Sequence, residues 1–447
     1  MDKSDELLTR AVETVVPRDL AEKKLKSGKP IRIYLGIDPT GAKLHIGHSV
    51  PLKKLRAFQD AGHDVIFLIG SFTAMVGDPT GRDAMRVPLT KEQVEENLQT
   101  YKRQAAKILD FDKLKIVYNH EWLAKMSFAD IMKLASHFTV QQMLERDMFR
   151  QRMTRTVLCK KCQTPIPVFK SSDVSMDQIK GDRWPFPVTC GNCGFEFTPL
   201  KSEILEEEPI SPNEFLYPLM QGYDSVMLDV DCELGGNDQL FNMLCGRKLQ
   251  KIFGKREKFV LTTRLIEGTD GRKMSKTYEN CIYLEDEPND MYGKVMSVKD
   301  DLMTTYFECC TDVPMEEVKS ILKGKPRDAK ARLASEIVTL YHGAKAAKAA
   351  AEAFDRVFKN KELPIDMPEV NVKLKDSPID ILVREGLVPS KSEARRLLAQ
   401  GAITIDGHKI VELESTFGEG FAAHVWGEEA IFKVGKRKFL RVKIPTI

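Results

Sequence analysis

The chain has 447 residues, 42% of them hydrophobic and 30% charged, yet its formal net charge is only +3. That length suits about two to four domains with real cores, and the near-neutral balance excludes bulk attraction to nucleic acid, leaving local basic patches as the route to any RNA contact. No apolar run reaches membrane-spanning length, the opening residues Met1 to Leu8 lack the apolar core of a secretory signal, and nine cysteines without such a signal suit the reducing cytosol.

After an amphipathic opening (Leu7, Leu8, Val12, Val15), Ile31 to Ile37 reads as a buried strand ending in the loop Asp38-Pro-Thr-Gly-Ala-Lys43. His45-Ile46-Gly47-His48 comes next. Pro51 lacks an N–H and is harmless only in a first turn, which predicts a helix starting at about Gly47 to Ser49 and running to Ala61-Gly62. Both histidines then stand at a helix N-terminus, where an anion is favoured. Val65 to Ile69, Lys115 to Tyr118, Ser225 to Leu228 and Phe259 to Thr262 read as further strands, with helical stretches between. The alternation implies an α/β fold, a doubly wound parallel sheet covered on both faces. Ligands bind such sheets beyond the carboxyl ends of the strands, where the Asp38, Asp78 and Gly235-Gly236 loops are expected.

Within the α/β stretch, which extends over 1–286, residues 154–207 carry paired cysteines. Cys159-Lys-Lys-Cys162 and Cys190-Gly-Asn-Cys193 supply four thiolates at the spacing of a closed, structural zinc site. Trp184, Phe186 and Val188 offer a miniature core for the module. From 287 to 360 the pattern is helical, and residues 361–378, with Pro364, Pro368 and Pro378, read as a linker. A small unit occupies 379–447. Its helix has a capping box, Ser390 to Glu393, and ends at Gly401; a short strand, Ala402 to Ile405, leads into an Asp406-Gly407 turn. Lys391, Arg395 and Arg396 on that helix, with Lys409, Lys436, Arg437 and Lys438, make a local basic surface suited to RNA.

Two constellations carry chemistry. His45 and His48 are answered by Lys273-Met274-Ser275-Lys276-Thr277, introduced by Gly271-Arg272. Two imidazoles and two ammonium groups can hold a triphosphate while charge builds during attack on its α-phosphorus. Such a transfer needs positioning and cationic stabilisation but no enzyme nucleophile. Tyr217, Gln221 and Asp224 lie four and three apart, so one helical face presents all three to one ligand.

In this order the two motifs resemble the HIGH and KMSKS signatures of class I aminoacyl-tRNA synthetases. The resemblance narrows to the tyrosyl-tRNA synthetases and covers nearly the whole chain apart from the cysteine module. It rests on Gly36-Ile-Asp38-Pro39-Thr40, Gly77-Asp78-Pro79-Thr80-Gly81, the Tyr217, Gln221 and Asp224 helix, and Gly235-Gly236-Asn237-Asp238-Gln239. It implies a Rossmann-like, HIGH-type catalytic domain, a helical anticodon-binding domain at 287–360 and an S-four-like RNA-binding domain at 379–447.

The chemistry implied is tyrosine–tRNA ligation with ATP and magnesium. His45, His48, Lys273 and Lys276 would be catalytic. Asp38, Thr40, Gly47, Gly235, Asp238, Met274, Ser275 and Thr277 would contact ATP. Tyr34, Gly36, Thr73, Asp78, Tyr217, Gln221, Asp224 and Gln239 would contact tyrosine: Tyr217, Gln221 and Asp78, with Thr73 nearby, at its ammonium, and Asp224 with Tyr34 at its phenolic hydroxyl. Lys391, Arg395 and Arg396 would contact RNA, and Arg82 and Arg86 the acceptor stem. A cytoplasmic homodimer partnered by its tRNA is expected, with zinc on Cys159, Cys162, Cys190 and Cys193. The chain departs from common forms at Thr277, where serine is frequent, at Glu233, where a neutral amide is common, and at Leu35 and Pro51. Two alternatives are a non-catalytic RNA-binding protein on a synthetase scaffold and a ligase for another amino acid such as tryptophan. The intact lysine loop weighs against the first, and the Tyr34–Asp224 pair against the second.

Overall fold

A computed structural model describes residues 3–41, 43–78, 89–146, 149, 152–170, 181–182, 187–205, 210–274, 278–358, 367–410, 416–417, 429–435 and 438–445. Pro79 to Gly81, Arg82, Arg86, Trp184, Phe186, Ser275, Lys276, Thr277, Lys436 and Arg437 lie outside the described residues. The chain divides into two compact units. The first comprises Met1–Gly268, Arg272–Glu285 and Thr304–Val313; the second comprises Thr269–Gly271, Asp286–Met303 and Pro314–Ile447.

The first unit is built on β1 (Val12–Val16), β2 (Arg32–Ile37), β3 (Asp64–Ile69) and β4 (Lys115–Tyr118). The module adds β5 (Thr154–Leu158), β6 (Pro165–Lys170), β7 (Val188–Thr189), β8 (Glu196–Phe197) and β9 (Ile204–Leu205), and the main sheet resumes with β10 (Cys232–Gly236) and β11 (Phe259–Thr263). Across the main sheet the order is β1-β11-β10-β2-β3-β4, parallel throughout except for β1 against β11. Residues 259–263 of β11 are all buried, the near-continuous apolar pattern of a parallel strand covered on both faces. From β2 the chain goes to β3 and β4 on one side, then returns to β10 and β11 on the other. The switch point, where a ligand crevice opens beyond the carboxyl ends, therefore falls between β2 and β10.

Two elements differ from the sequence pattern. Ser225 to Leu228 is not a strand but the last turn of a helix, Pro212–Leu228, and the central strand is Cys232–Gly236 instead. A short apolar run has no period of its own, and contact with the Leu240–Ile252 helix decided the matter. The histidine helix, Ile46–Asp60, begins earlier than expected, which places Pro51 in its second turn. The start is set from outside the helix: the Ile46 N–H donates to the Ile282 carbonyl at 2.9 Å and the Leu284 N–H to Leu44 at 2.9 Å. Pro51 only forgoes the bond it would have made to Gly47.

The Met303–Cys310 helix, expected with the helical domain, falls almost wholly in the first unit. Arg10 anchors it, donating to the carbonyls of Glu308 at 3.2 Å, Thr311 at 2.8 Å and Val313 at 2.9 Å. A cation at a helix C-terminus satisfies carbonyls that have no partner within the helix.

In the second unit Pro288–Met296, Met315–Ile321, Pro326–His342 and Ala344–Phe358 are helices. The C-terminal sheet comprises β12 (Glu369–Asn371), β13 (Ile403–Ile405), β14 (His408–Lys409), β15 (Glu429–Val434) and β16 (Lys438–Lys443), in the order β12-β16-β15-β13-β14. The expected linker is thus partly a strand: β12 pairs in parallel with β16. Ile379, Leu382, Leu398, Phe432 and Leu440 form its core. Ser390 does cap its helix, accepting from the Glu393 N–H at 3.2 Å, but the Glu393 carboxylate is engaged by Arg396. Asp406 and Gly407 take φ of 48° and 84°, as the tight hairpin turn requires. No described helix is long and apolar enough to cross a membrane.

Candidate active site

A cavity of about 570 Å³ opens at the switch point between β2 and β10. It is lined by His45, His48 and Lys273; by Asp38, Thr40, Gly47, Gly235, Asp238 and Met274; and by Tyr34, Gly36, Thr73, Asp78, Tyr217, Gln221, Asp224 and Gln239. Every described residue that the sequence pattern pointed to for ATP, tyrosine and catalysis therefore faces one space.

At one end the His45 N–H donates to His48 Nδ1 at 3.2 Å, and the two rings stack with centroids 3.7 Å apart. A neutral His48 must then carry its proton on Nε2, where it serves as a donor. A side chain at Gly47 would meet the His45 ring at 2.9 Å, so the ring lies directly over a bare backbone. Lys273 is reached through a turn closed by the Gly268 N–H to Arg272 carbonyl bond at 2.7 Å, and Asn280 Nδ2 donates to the Lys273 carbonyl at 3.1 Å. The segment after this turn pairs with residues 44–46, which ties the lysine loop to the histidine motif.

At the other end the polar groups form a connected set. Tyr217 donates to Asp38 Oδ2 at 2.7 Å rather than to Asp78, and Thr73 donates to Asp38 Oδ1 at 2.7 Å. Asn119 Nδ2 bonds Thr73 Oγ1 at 3.0 Å and Asp224 Oδ2 at 3.3 Å, while Trp122 Nε1 donates to Asp224 Oδ1 at 2.8 Å. Asp38 thus gathers Tyr217 and Thr73 on its two oxygens. Asp78 accepts from Gln239 Nε2 at 2.8 Å, and Arg146 stands 3.6 Å from its other oxygen. Tyr34 lies 3.0 Å from Ser225 Oγ.

Burial governs the titration of this end. It pushes the Asp224 carboxyl well above the usual carboxylate range, against the donation from Trp122 and Asn119. Burial, aided by nearby carboxylates, also raises the Tyr34 and Tyr217 hydroxyls. Asp238 is raised by burial too, with Lys273 opposing. Dry, acceptor-rich walls of this kind suit a cationic or hydroxylated ligand.

The four cysteines converge separately, their sulfurs all within 4.8 Å of one another. Cys159 Sγ lies 3.6 Å from Cys193 Sγ, and Cys162 Sγ 3.5 Å from Cys190 Sγ. A tetrahedral zinc with bonds of about 2.3 Å requires sulfur–sulfur edges of about 3.8 Å, so the set fits. Both knuckles fold alike. Cys159 N–H bonds the Thr164 carbonyl and Gln163 N–H the Cys159 carbonyl, just as Cys190 bonds Phe195 and Gly194 bonds Cys190. Gln163, at φ 59°, takes the left-handed turn that Gly194 takes at φ 67°.

A family model described as tRNA synthetases class I (W and Y) matches residues 26–164 and 196–359, and one described as the Tyrosine--tRNA ligase SYY-like C-terminal domain matches residues 360–442. The tyrosine–tRNA ligases of Thermotoga maritima and Coxiella burnetii are each 41% identical to the chain over 98% of it, covering 96% and 98% of their own lengths. The chain belongs to the tyrosine–tRNA ligase family. The fold agrees: the C-terminally truncated Aspergillus nidulans mitochondrial tyrosyl-tRNA synthetase superposes with a TM-score of 0.57 at 23% identity, over 80% of this chain and 93% of that one. The Archaeoglobus fulgidus tyrosyl-tRNA synthetase complexed with L-tyrosine superposes at 0.55 and 21% identity, over 78% and 99%. The gap in the class I match falls within the cysteine module.

The basic helix of the C-terminal unit is partly neutralised by neighbouring carboxylates. Lys391 pairs with Asp380 at 2.5 Å and Arg396 with Glu393 at 2.6 Å, although both cations stay exposed. Sequence reasoning missed Asn119, Trp122, Ser225, Asn242 and Lys258. None sits in a spaced motif and none lines the cavity; each backs a side chain that does, Asn119 and Trp122 behind Asp224, Ser225 and Lys258 behind Glu233, and Asn242 behind Gln221.

Proposed function

We propose that this chain makes tyrosyl-adenylate from tyrosine and ATP, then transfers tyrosine to the 3′ end of its tRNA. The observation that supports this best is the convergence of the histidine motif, Lys273 and the Tyr217, Gln221 and Asp224 face on a single cavity. In the first step the tyrosine carboxylate attacks the α-phosphorus, a phosphorus–oxygen bond breaks, and pyrophosphate leaves. His48 Nε2 and His45 donate to the phosphates, and Lys273 with Lys276 balances the negative charge that gathers on the leaving group. Magnesium enters with ATP. In the second step the terminal ribose hydroxyl of the tRNA attacks the adenylate carbonyl carbon and AMP leaves.

Tyrosine is held at both ends. Gln221, Tyr217 and Asp78 accept from its ammonium, and Asp224 with Tyr34 meets its hydroxyl. The four thiolates hold zinc, which leaves no open position for a substrate, so its part is structural. Exposed apolar side chains on the connecting helices, Phe128 at 78% and Val140 at 65% exposure, support a homodimer through this region. Lys391, Arg395 and Arg396 contact the tRNA, and the enzyme works in the cytoplasm.

ATP–pyrophosphate exchange across the amino acids tests the reading, with tyrosine alone expected to support rapid exchange. His48→Ala should slow adenylate formation by about tenfold or more while tyrosine binding stays near normal. Exchange specific to another amino acid, or unchanged kinetics in the variant, would overturn it.

A further inference from the structure

Glu233 and Lys258 form an ion pair beneath the tyrosine end of the cavity, and both are essentially out of contact with solvent. The sheet places them there. Glu233 is opposite Tyr34 in the β10–β2 register and opposite Val260 in β11, and Lys258 directly precedes β11. A Cβ on Gly246 would lie 2.7 Å from Lys258 Nζ and 3.2 Å from Glu233 Oε2, so the facing helix packs closely on the pair only because residue 246 is glycine.

The donors and acceptors around this pair have a fixed direction. A carboxylate only accepts and an ammonium only donates. Gln221 Nε2 lies 3.1 Å from Glu233 Oε1, so the amide must turn its NH₂ toward the carboxylate and its carbonyl away. That carbonyl accepts from Asn242 Nδ2 at 2.8 Å. The same Asn242 NH₂ donates to Gln239 Oε1 at 3.1 Å, and Gln239 donates to Asp78. Two glutamines therefore point their carbonyls at one asparagine because an acceptor-only carboxylate stands behind each. A carbonyl has two lone pairs, and Asn242 occupies one of those on Gln221. Lys258 pairs with Glu233 and donates to Ser225 Oγ at 2.6 Å, while Ser225 gives its own proton to Glu233.

We propose that the Glu233–Lys258 pair is a positioning device that locks the Gln221 amide with its carbonyl toward the ammonium of the amino acid substrate. This rests on the tyrosine pocket assigned above. A neutral amide at 233 could accept or donate and would no longer require the Gln221 NH₂ to face it.

The test uses the full-length enzyme with E233Q, the charge-free double variant E233Q/K258M and N242D. The single E233Q variant strands the lysine and should lower the melting temperature, and the double variant should recover it. The tyrosine KM should nevertheless stay raised about tenfold in both, with kcat and the ATP KM within about threefold of the parent, because a contact made equally in ground and transition states is lost. N242D, which sets an acceptor between two carbonyls, should raise the tyrosine KM likewise. Two competitive ligands locate the effect: tyrosinol, which keeps the ammonium, should weaken about tenfold more than 3-(4-hydroxyphenyl)propanoate, which lacks it. If the double variant recovers both stability and tyrosine KM, or both ligands weaken equally, the pair is structural and the proposal fails. Asp224→Asn separates that failure from failure of the pocket itself: an unchanged tyrosine KM there as well would mean the cavity does not bind tyrosine as assigned.

Discussion

Asp224→Asn is the sharpest probe of how the pocket selects its amino acid. The side chain is 2% exposed and each oxygen already has a donor, Trp122 Nε1 at 2.8 Å and Asn119 Nδ2 at 3.3 Å. Asparagine keeps the shape and opens no cavity, but one oxygen becomes an NH₂. Whichever way the amide turns, that NH₂ faces a donor, and the shorter Trp122 bond favours placing it against Asn119. The substrate hydroxyl then loses a carboxyl oxygen and meets an NH₂ in its place, a loss of about 1–3 kcal/mol or roughly 5- to 150-fold in kcat/KM. Phenylalanine has no hydroxyl and never made the bond, so its kcat/KM should stay within about threefold. Pyrophosphate exchange with both amino acids at limiting concentration measures the two values. An equal fall for both would mean the substitution merely damaged the pocket, and an unchanged tyrosine value would mean the hydroxyl lies elsewhere.

Three further outcomes follow from other parts of the molecule. Gly222→Ala places a Cβ 3.0 Å from the Gly246 nitrogen and 3.2 Å from its Cα, both backbone atoms that cannot swing aside. Overpacking should outweigh the gain of up to about 1 kcal/mol in helix propensity and leave a net loss of about 1–2 kcal/mol; a variant as stable as the parent in urea would refute the close crossing. Lys54 donates to the Glu6 and Leu7 carbonyls, and burial lowers its pKa from 10.5 to about 8. The unfolded chain binds that proton more tightly, so stability should rise between about pH 8 and 10.5, by up to roughly 3 kcal/mol. Lys54→Met should flatten that part of the profile, and an unaltered slope would count against the burial argument. Metal analysis should find about one zinc per chain, lost in Cys190→Ser while pyrophosphate exchange persists; a zinc-free parent protein would remove the metal from the module.

Much of the site was legible because its chemistry comes in short, spaced words. Tyr217, Gln221 and Asp224 share a helical face by arithmetic alone, and the histidines at a helix start need only local geometry. The C-terminal turn at Asp406-Gly407 and the Ser390 cap were readable for the same reason. What failed was apolar runs and boundaries. Ser225 to Leu228 looked like a strand until its helix partner was known, and the expected linker hid β12, whose three residues form a strand only because β16 lies beside them.

The sequence by itself determined the reaction class, the cavity-lining motifs and the four-thiolate module, because each depends on residue type and near-neighbour spacing. Only the tertiary structure decided the support behind them. Asp38 is held by Tyr217 and Thr73, which lie far from it in the chain, and Glu233 finds its counter-charge in Lys258 and its reader in Gln221. A buried charge needs a partner and an amide needs a direction, and both are supplied by whichever distant segments the sheet sets side by side.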